Sequence, residues 1–371
     1  MQEEIKTLLG VATTTNYEKY LRLTSFVGRG KKQSFSYIRE RIWHKMKGWK
    51  ERLLSQGGRE VLIKAVLQAM PTYTMGCFKL PKSLCRDIGS LIWKFWWGYK
   101  GEARKIHWVG WKKLCKSKCQ GGLGFKDIEL FNIAMLGKQV WWLLYNKDSL
   151  LYKVFKAKYF LNCSILEEGV KVNGSYAWQS ILKAREVVQM GSKWRIGDGQ
   201  SVMIRGDKWL PDVYSSQVVS LQKNFPNNTR VCALIDEENR CWMADRVHEE
   251  FLPHEAEAIL SLPLSFNGKE DRLIWAETKN GYYTTKSAYR LLLKAAEASV
   301  PGSSNSAVQK LFWQELWSLK VPNKIRHFMW RAVNDSLPTK KNPQKRNIIQ
   351  DPTCDRWVYI YTGEGRTVSC E

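Results

Sequence analysis

Apolar residues recur at steps of three and four over residues 35–54, where Phe35, Ile38, Ile42, Met46, Trp49 and Leu53 form one stripe. That spacing predicts a helix with a single buried face. The opposite face carries Arg39, Arg41, Lys45, Lys47, Lys50 and Arg52. Gln56-Gly57-Gly58 is expected to break this helix. A second helix, from about Glu60 to Met70, should turn Leu62, Val66 and Ala69 inward and stop at Pro71, which cannot donate to a helical ladder. A third should run from after Pro81 to about Trp97 with Leu84, Ile88, Leu91, Ile92 and Phe95 inward. Three such rods with short links predict a small bundle.

Residues 98–126 read as a basic, Gly-rich connector that includes Lys112 and Lys113. Asp127 is a candidate N-cap for a long helix through Tyr145, with shorter ones expected from Ser149 to Phe160 and from Tyr176 to Met190. The period then changes to two. Lys193 to Ile196 and Ser201 to Ile204 flank Asp198-Gly199 and predict a hairpin, and Arg272 to Tyr283 around Asn280-Gly281 predicts another. Thr284 or Thr285 is positioned to cap a helix through Leu293, and residues 299–306 have the composition of a linker. Two short helices, Leu311 to Leu319 and Asn323 to Val333, are separated by Pro322 and followed by a polar, basic tail. The expected fold is mainly α with a small β section (α+β): a helical bundle, a β-hairpin middle region and a short helical C-terminal module. The expected division is residues 1–97, 98–190, 191–298, a linker at 299–308, and 309–371.

Charge narrows the partner. Fifty-nine Lys and Arg oppose 35 Asp and Glu, a formal +24, in a chain with 18 Trp. A single-sign field of that size attracts nucleic acid or another polyanion. No apolar run reaches the ~20 residues of a membrane span, and Met1-Gln2-Glu3-Glu4 begins no signal peptide. The expected setting is therefore intracellular, nucleus or cytoplasm, with no membrane partner. Nine scattered Cys fit reduced thiols.

Most Trp are expected to pack, Trp49, Trp93 and Trp313 among them, whereas Trp96-Trp97 and Trp141-Trp142 should each leave one ring exposed. Gly121-Gly122-Leu123-Gly124 reads as a turn, since it lacks the Lys-Ser/Thr of a phosphate loop. Asp236-Glu237-Glu238 also reads as a turn, and Cys115 with Cys119 has no second ligand pair. No nucleophile–base dyad is nominated.

Val27-Gly28-Arg29-Gly30-Lys31-Lys32, Trp49 through Glu60, Gln68 to Tyr73, Gly121 to Phe125 before Phe131-Asn132, and Trp194 to Gly199 leading to Asp207-Lys208-Trp209-Leu210 follow one another in the chain. These phrases, in this order, are similar to plant LINE-type (non-LTR) retrotransposon reverse transcriptases. Trp313 through Ala332, with Val321-Pro322-Asn323-Lys324-Ile325, resembles the start of the reverse-transcriptase zinc-binding domain. The resemblance implies that residues after the polymerase palm form a thumb, connection and truncated zinc-binding part. It implies phosphate contacts from Lys31, Lys32, Arg39, Arg41, Lys45, Lys47, Lys50, Arg52, Lys112, Lys113, Lys324, Arg326 and Arg331.

The departures bear on chemistry. Two-metal nucleotidyl transfer needs paired carboxylates, and the sequence has no Asp-Asp pair; the palm would precede residue 1. Pro352-Thr353-Cys354 matches the zinc-binding phrase, but Trp stands at 357 in place of the next Cys, and no His follows His327. Cys354 is read as vestigial and zinc as absent. The functional expectation is a non-catalytic, sequence-tolerant nucleic-acid-binding fragment, the product of a degenerate element, with no catalytic residues and no cofactor. Its partner would be an RNA/DNA duplex or RNA. The alternatives are an accessory part acting with an intact RNA-directed DNA polymerase, and an inert, partly folded remnant.

Overall fold

The computed structural model describes residues 19–20, 23–24, 27–28, 30–50, 54–98, 106–167, 169–211, 216–226, 228–236, 238–264, 268–298, 307–337, 339, 357–362 and 365–370. In chain order the elements are β1 (Lys19–Tyr20), β2 (Leu23–Thr24), α1 (Lys31–Ser34), α2 (Ser36–Lys50), α3 (Gln56–Leu62), α4 (Thr72–Met75), α5 (Lys82–Trp97), α6 (Trp111–Cys115), α7 (Ile128–Tyr145) and α8 (Leu150–Tyr159). Then follow α9 (Tyr176–Leu182), α10 (Arg185–Gly191), β3 (Ser192–Arg195), β4 (Ile235–Asp236), β5 (Cys241–Trp242), α11 (Ala244–Glu250), α12 (Pro253–Leu260), β6 (Arg272–Trp275), α13 (Thr285–Ala298), α14 (Ala307–Ser318), α15 (Asn323–Val333), β7 (Trp357–Thr362) and β8 (Gly365–Cys370). The fold is mainly α with a small β section, the strands forming two-stranded antiparallel pairs. The chain divides into two compact units: residues 1–71, 81–128 and 302–371 form one, and residues 72–80 and 129–301 the other.

In unit 1, Phe35 just before α2 and Ile38, Ile42 and Met46 within it are buried as the stripe predicts, whereas Trp49 is half-buried and Leu53 lies outside the described residues; α2 packs against α5. Helix α5 buries Leu84, Ile88, Ile92 and Phe95 on the same principle. Gln56-Gly57-Gly58 does not end a helix; it begins α3. The Ser55 side chain accepts from Gly58 N at 3.1 Å, and an added Cβ at Gly57 would lie 3.2 Å from Asn323 Cβ, so glycine admits α15 there. The face of the second helix also differs from expectation. A π-helical turn at Ile63–Leu67 widens the spiral, so Ile63 and Leu67 are fully buried while Leu62 and Val66 are half-buried and Ala69 is exposed. Trp96 and Trp97 are both buried, against the expectation that one ring would face water, because α5 is covered by several neighbours. The Trp96 ring lies 5.4 Å from Phe125, 5.5 Å from His327 and 6.4 Å from Trp330.

The C-terminal helices α14 and α15 belong to this same unit. Trp330 Nε1 donates to Gly121 O at 2.9 Å, with both groups buried. Gly121 has φ +77°, and an added Cβ would sit 2.8 Å from the Trp313 ring, so the turn requires glycine on both counts. The linker expected at 299–306 and the tail lysines Lys340, Lys341 and Lys345 lie outside the described residues, while β7 and β8 pair antiparallel.

Unit 2 is organised around α7, which buries Ala134, Leu136, Val140 and Leu143 with Trp178 and Trp275. Asn132 anchors residues 72–80: its Oδ1 accepts from Leu80 N at 2.7 Å, and its Nδ2 donates to Met75 O and Phe78 O at 2.8 and 3.0 Å. Ser149 and Thr284 cap α8 and α13 by accepting from Tyr152 N and Ser287 N. The two expected hairpins are absent among the described residues. Instead β3 pairs with β6, Ser192 opposite Trp275 and Arg195 opposite Arg272. The physical reason is Asp271, whose carboxylate accepts from Gly197 N, Gly199 N and Ser201 N at 2.7, 3.0 and 2.8 Å and draws the 197–201 loop to the start of β6. Asp236 does make the expected turn, accepting from Glu238 N and Asn239 N.

Candidate nucleic-acid interface

The formal charge is unevenly divided. Unit 1 has 36 Lys and Arg against 15 Asp and Glu, a net +21, and unit 2 has 23 against 20, a net +3. Every cation nominated from the sequence falls within unit 1. Arg52 lies outside the described residues, as does Cys354.

Helix α2 presents the densest group. With its apolar stripe buried, Arg39, Arg41, Lys45 and Lys47 are exposed, accompanied by Glu40 and His44. Lys45 Nζ lies over the Trp49 ring at 5.8 Å and Lys47 Nζ over Trp43 at 5.7 Å. Trp43 is 40% exposed, an aromatic surface that the sequence reading did not single out. Its signal was present: it stands one residue beyond Ile42, about 100° off the buried stripe. Lys50 ends the same helix. Lys31 and Lys32 lie on α1, and Lys32 pairs with Asp87 at 2.8 Å.

The remaining nominees have different surroundings. Lys112 and Lys113 are exposed on α6, and partial desolvation of the Lys113 ammonium, with Lys116 nearby, pushes it below the ordinary lysine value. Lys324 is exposed on α15. Arg326 donates to Trp317 O at 3.2 Å. Arg331 donates to Ser336 O at 3.0 Å and lies 5.9 Å from the Trp97 ring centre, and burial lowers its guanidinium from its usual value. These two arginines thus have internal partners within the C-terminal module.

His327 of α15 joins an ionic cluster centred on the buried Glu60, with Lys64 and Lys118 half-buried around it. Glu60 Oε1 meets Lys64 Nζ at 2.5 Å and Lys118 Nζ at 3.0 Å, and its Oε2 accepts from His327 Nε2 at 3.0 Å. Lys118 also lies 4.2 Å from the Trp317 ring centre. Burial alone would raise the Glu60 carboxyl, but His327, Lys64 and Lys118 hold it far below the usual glutamate range. Among the described residues, no three His, Cys, Asp or Glu side chains are grouped to hold a metal ion. No helix among them is long and apolar enough to cross a membrane.

Comparison with known proteins gives this arrangement its ancestry. Residues 283–359 match the family described as zinc-binding in reverse transcriptase. The chain is 29% identical over 327 residues to a putative ribonuclease H protein of Arabidopsis thaliana, a match covering 87% of this chain and 52% of that protein. It is 42% identical over 145 residues to an uncharacterized mitochondrial protein of the same plant, covering 94% of it. The chain belongs to the plant retrotransposon reverse-transcriptase family. It spans about half the length of the putative ribonuclease H protein and is similar to the C-terminal region of such reverse transcriptases.

The family match raises the question of zinc. A structural zinc site takes four Cys or His ligands in a closed tetrahedron. Residues 283–359 of this reverse-transcriptase relative contain one His and one Cys, His327 and Cys354, with Trp at 357. His327 is buried against Glu60. This donor set does not fit a closed zinc site.

Proposed function

We propose that this chain is a non-catalytic, sequence-tolerant nucleic-acid binder in which unit 1 holds the phosphate backbone of an RNA or DNA duplex. The observation that carries this reading is the concentration of positive charge, +21 of the total +24, in one compact unit. On α2 the cations occupy the solvent face of a helix whose other face is locked in the core, so a phosphate meets them without rearrangement of the backbone. Lys and Arg arms reaching phosphates position a duplex and carry no base information. Each neutralised phosphate releases condensed counterions, which makes the affinity steeply dependent on salt.

The non-catalytic part of the reading rests on chemistry. Nucleotidyl transfer by two metal ions requires adjacent free carboxylates. In unit 1, Glu60 is occupied by three cationic or donor partners and Asp87 is paired with Lys32.

Filter binding of random-sequence duplexes across a sodium chloride series tests the proposal. With about 6–10 phosphates engaged, log affinity should fall against log salt with a slope of roughly −5 to −9. A slope near zero would eliminate the reading, and extension of a primed template by the purified protein would eliminate its non-catalytic part.

A further inference from the structure

Unit 2, nearly neutral overall, carries a local exception on the β3–β6 pair. Residues directly opposite on antiparallel strands share a face, so Lys193, Arg195, Arg272 and Ile274 lie together on one side and Ser192, Trp194, Leu273 and Trp275 on the other. The second side leads into the core, where Trp275 is fully buried. On the first, Arg195 and Arg272 are both exposed and directly opposed. Like charges so placed repel and destabilise a ladder unless an anion lies between them. Neither guanidinium is paired with a carboxylate among the described residues, and Asp271, next in sequence, is held by Gly197, Gly199 and Ser201.

Aromatic surface adjoins these cations. The Arg272 guanidinium lies 5.3 Å from the Tyr145 ring centre and 5.8 Å from that of Tyr282. Tyr282 is 55% exposed, yet its backbone is fixed: its N–H donates to Asn280 Oδ1 at 3.2 Å, and its carbonyl accepts from Thr278 Oγ1 at 2.8 Å. Tyr145 is anchored through its hydroxyl, which donates to Leu273 O. A rigid exposed ring beside an unneutralised pair of guanidinium groups is the combination that binds unpaired strands, with phosphate on the cations and base on the ring.

We propose that Arg195, Arg272 and Tyr282 form a subsite for single-stranded nucleic acid on unit 2, separate from the duplex contacts assigned to unit 1. A backbone phosphate lies between the two guanidinium groups, and the adjoining base stacks on Tyr282. A base-paired strand does not fit this requirement, because its bases are stacked on one another and unavailable to the ring.

Fluorescence anisotropy at fixed salt, with a labelled oligothymidylate, an abasic oligonucleotide of equal length and a random duplex, tests the subsite in the full chain. Arg195→Ala and Tyr282→Ala should each weaken oligothymidylate binding by about tenfold, Tyr282→Phe should retain it, and none should change duplex binding. Arg195 is exposed and has no side-chain partner among the described residues, so its truncation leaves the fold intact even if Arg272→Ala does not. Charge removal on α2 should give the reverse pattern, weakening duplex binding most. Wild-type oligothymidylate affinity in both Arg195→Ala and Tyr282→Ala overturns the subsite, as does an equal loss on duplex and single strand. Equal affinity of the unaltered protein for the abasic chain overturns the stacking assignment. Loss of duplex binding alone, with these single-strand differences preserved, would count against the unit 1 reading and leave this one standing.

Discussion

His327 Nε2 donates to Glu60 Oε2 at 3.0 Å, joining helix α15 near the end of the chain to helix α3 near its beginning. Both side chains are buried, and Lys64 and Lys118 complete the cluster. The buried carboxylate is tolerated because His327 donates to it and the half-buried Lys64 and Lys118 ammonium groups compensate its charge. The first prediction follows from this relationship.

Glu60 is held ionised, its folded-state titration lying far below the ordinary glutamate value. A depressed carboxylate contributes stability that is fully present above its unfolded value, near 4.3, and is lost as pH falls toward the folded one. Denaturant unfolding followed by Trp fluorescence should therefore show unit 1 weakening on acidification below that range. Glu60→Gln should cost ~1–2 kcal/mol at neutral pH, since the two ammonium groups it leaves uncompensated are partly solvated. It should also flatten the acid limb. An unchanged acid limb in Glu60→Gln would refute the assignment.

Metal removal should leave this unit as it is. The helices of the zinc-binding match are tied to unit 1 by Trp330 Nε1 on Gly121 O, by His327 on Glu60 and by Trp313 against the Gly121 turn. A chelator should not shift the unfolding midpoint, whereas Trp330→Phe, which leaves a buried carbonyl without its donor, should cost ~1–3 kcal/mol. A melting temperature lowered by chelator and restored by zinc would overturn the account.

How much of this was legible varies with the range of the physics. The stripes of α2 and α5 and the caps at Ser149 and Thr284 are local signals, and the folded chain follows them. The β3–β6 pairing was not legible. Asp198-Gly199 and Asn280-Gly281 each look like hairpin turns, and nothing nearby announces that Asp271 will gather the backbone of the first loop. The π-helical turn at Ile63–Leu67 likewise shifts the buried face without a local mark, and burial of both Trp96 and Trp97 reflects neighbours distant in sequence, Phe125 and Trp330 on Trp96 and Arg331 on Trp97. For the candidate interface, residue type and spacing were enough to place the α2 cations on the exposed face. It did not reveal that Arg326 and Arg331 find carbonyl partners within their own module.

Asp271 itself gives a direct test of the β section. One carboxylate serves three backbone N–H groups, so Asp271→Ala should cost about 3 kcal/mol or more by leaving donors unsatisfied, while Asp271→Asn, which retains one acceptor, should cost less. Hydrogen exchange should localise the damage: faster exchange at Gly197, Gly199 and Ser201, with α2 and α5 unaltered. Uniform acceleration over both units would contradict so local a role.

The α2 surface makes the last prediction quantitative. Arg39, Arg41, Lys45 and Lys47 are exposed on a helix whose opposite face is fully buried, so their truncation to Ala removes charge without opening the core. If each contacts one phosphate, the fourfold variant should lose roughly 3 to 4 from the magnitude of the salt slope, about 0.9 for each contact. The loss should be the same for unrelated duplex sequences, because phosphate contacts carry no base information. Affinity at low salt should fall far more than at high salt, where the counterion term has already been screened. A slope unchanged within error would place the phosphate contacts elsewhere on unit 1, and a loss confined to some sequences would mean that these side chains read bases.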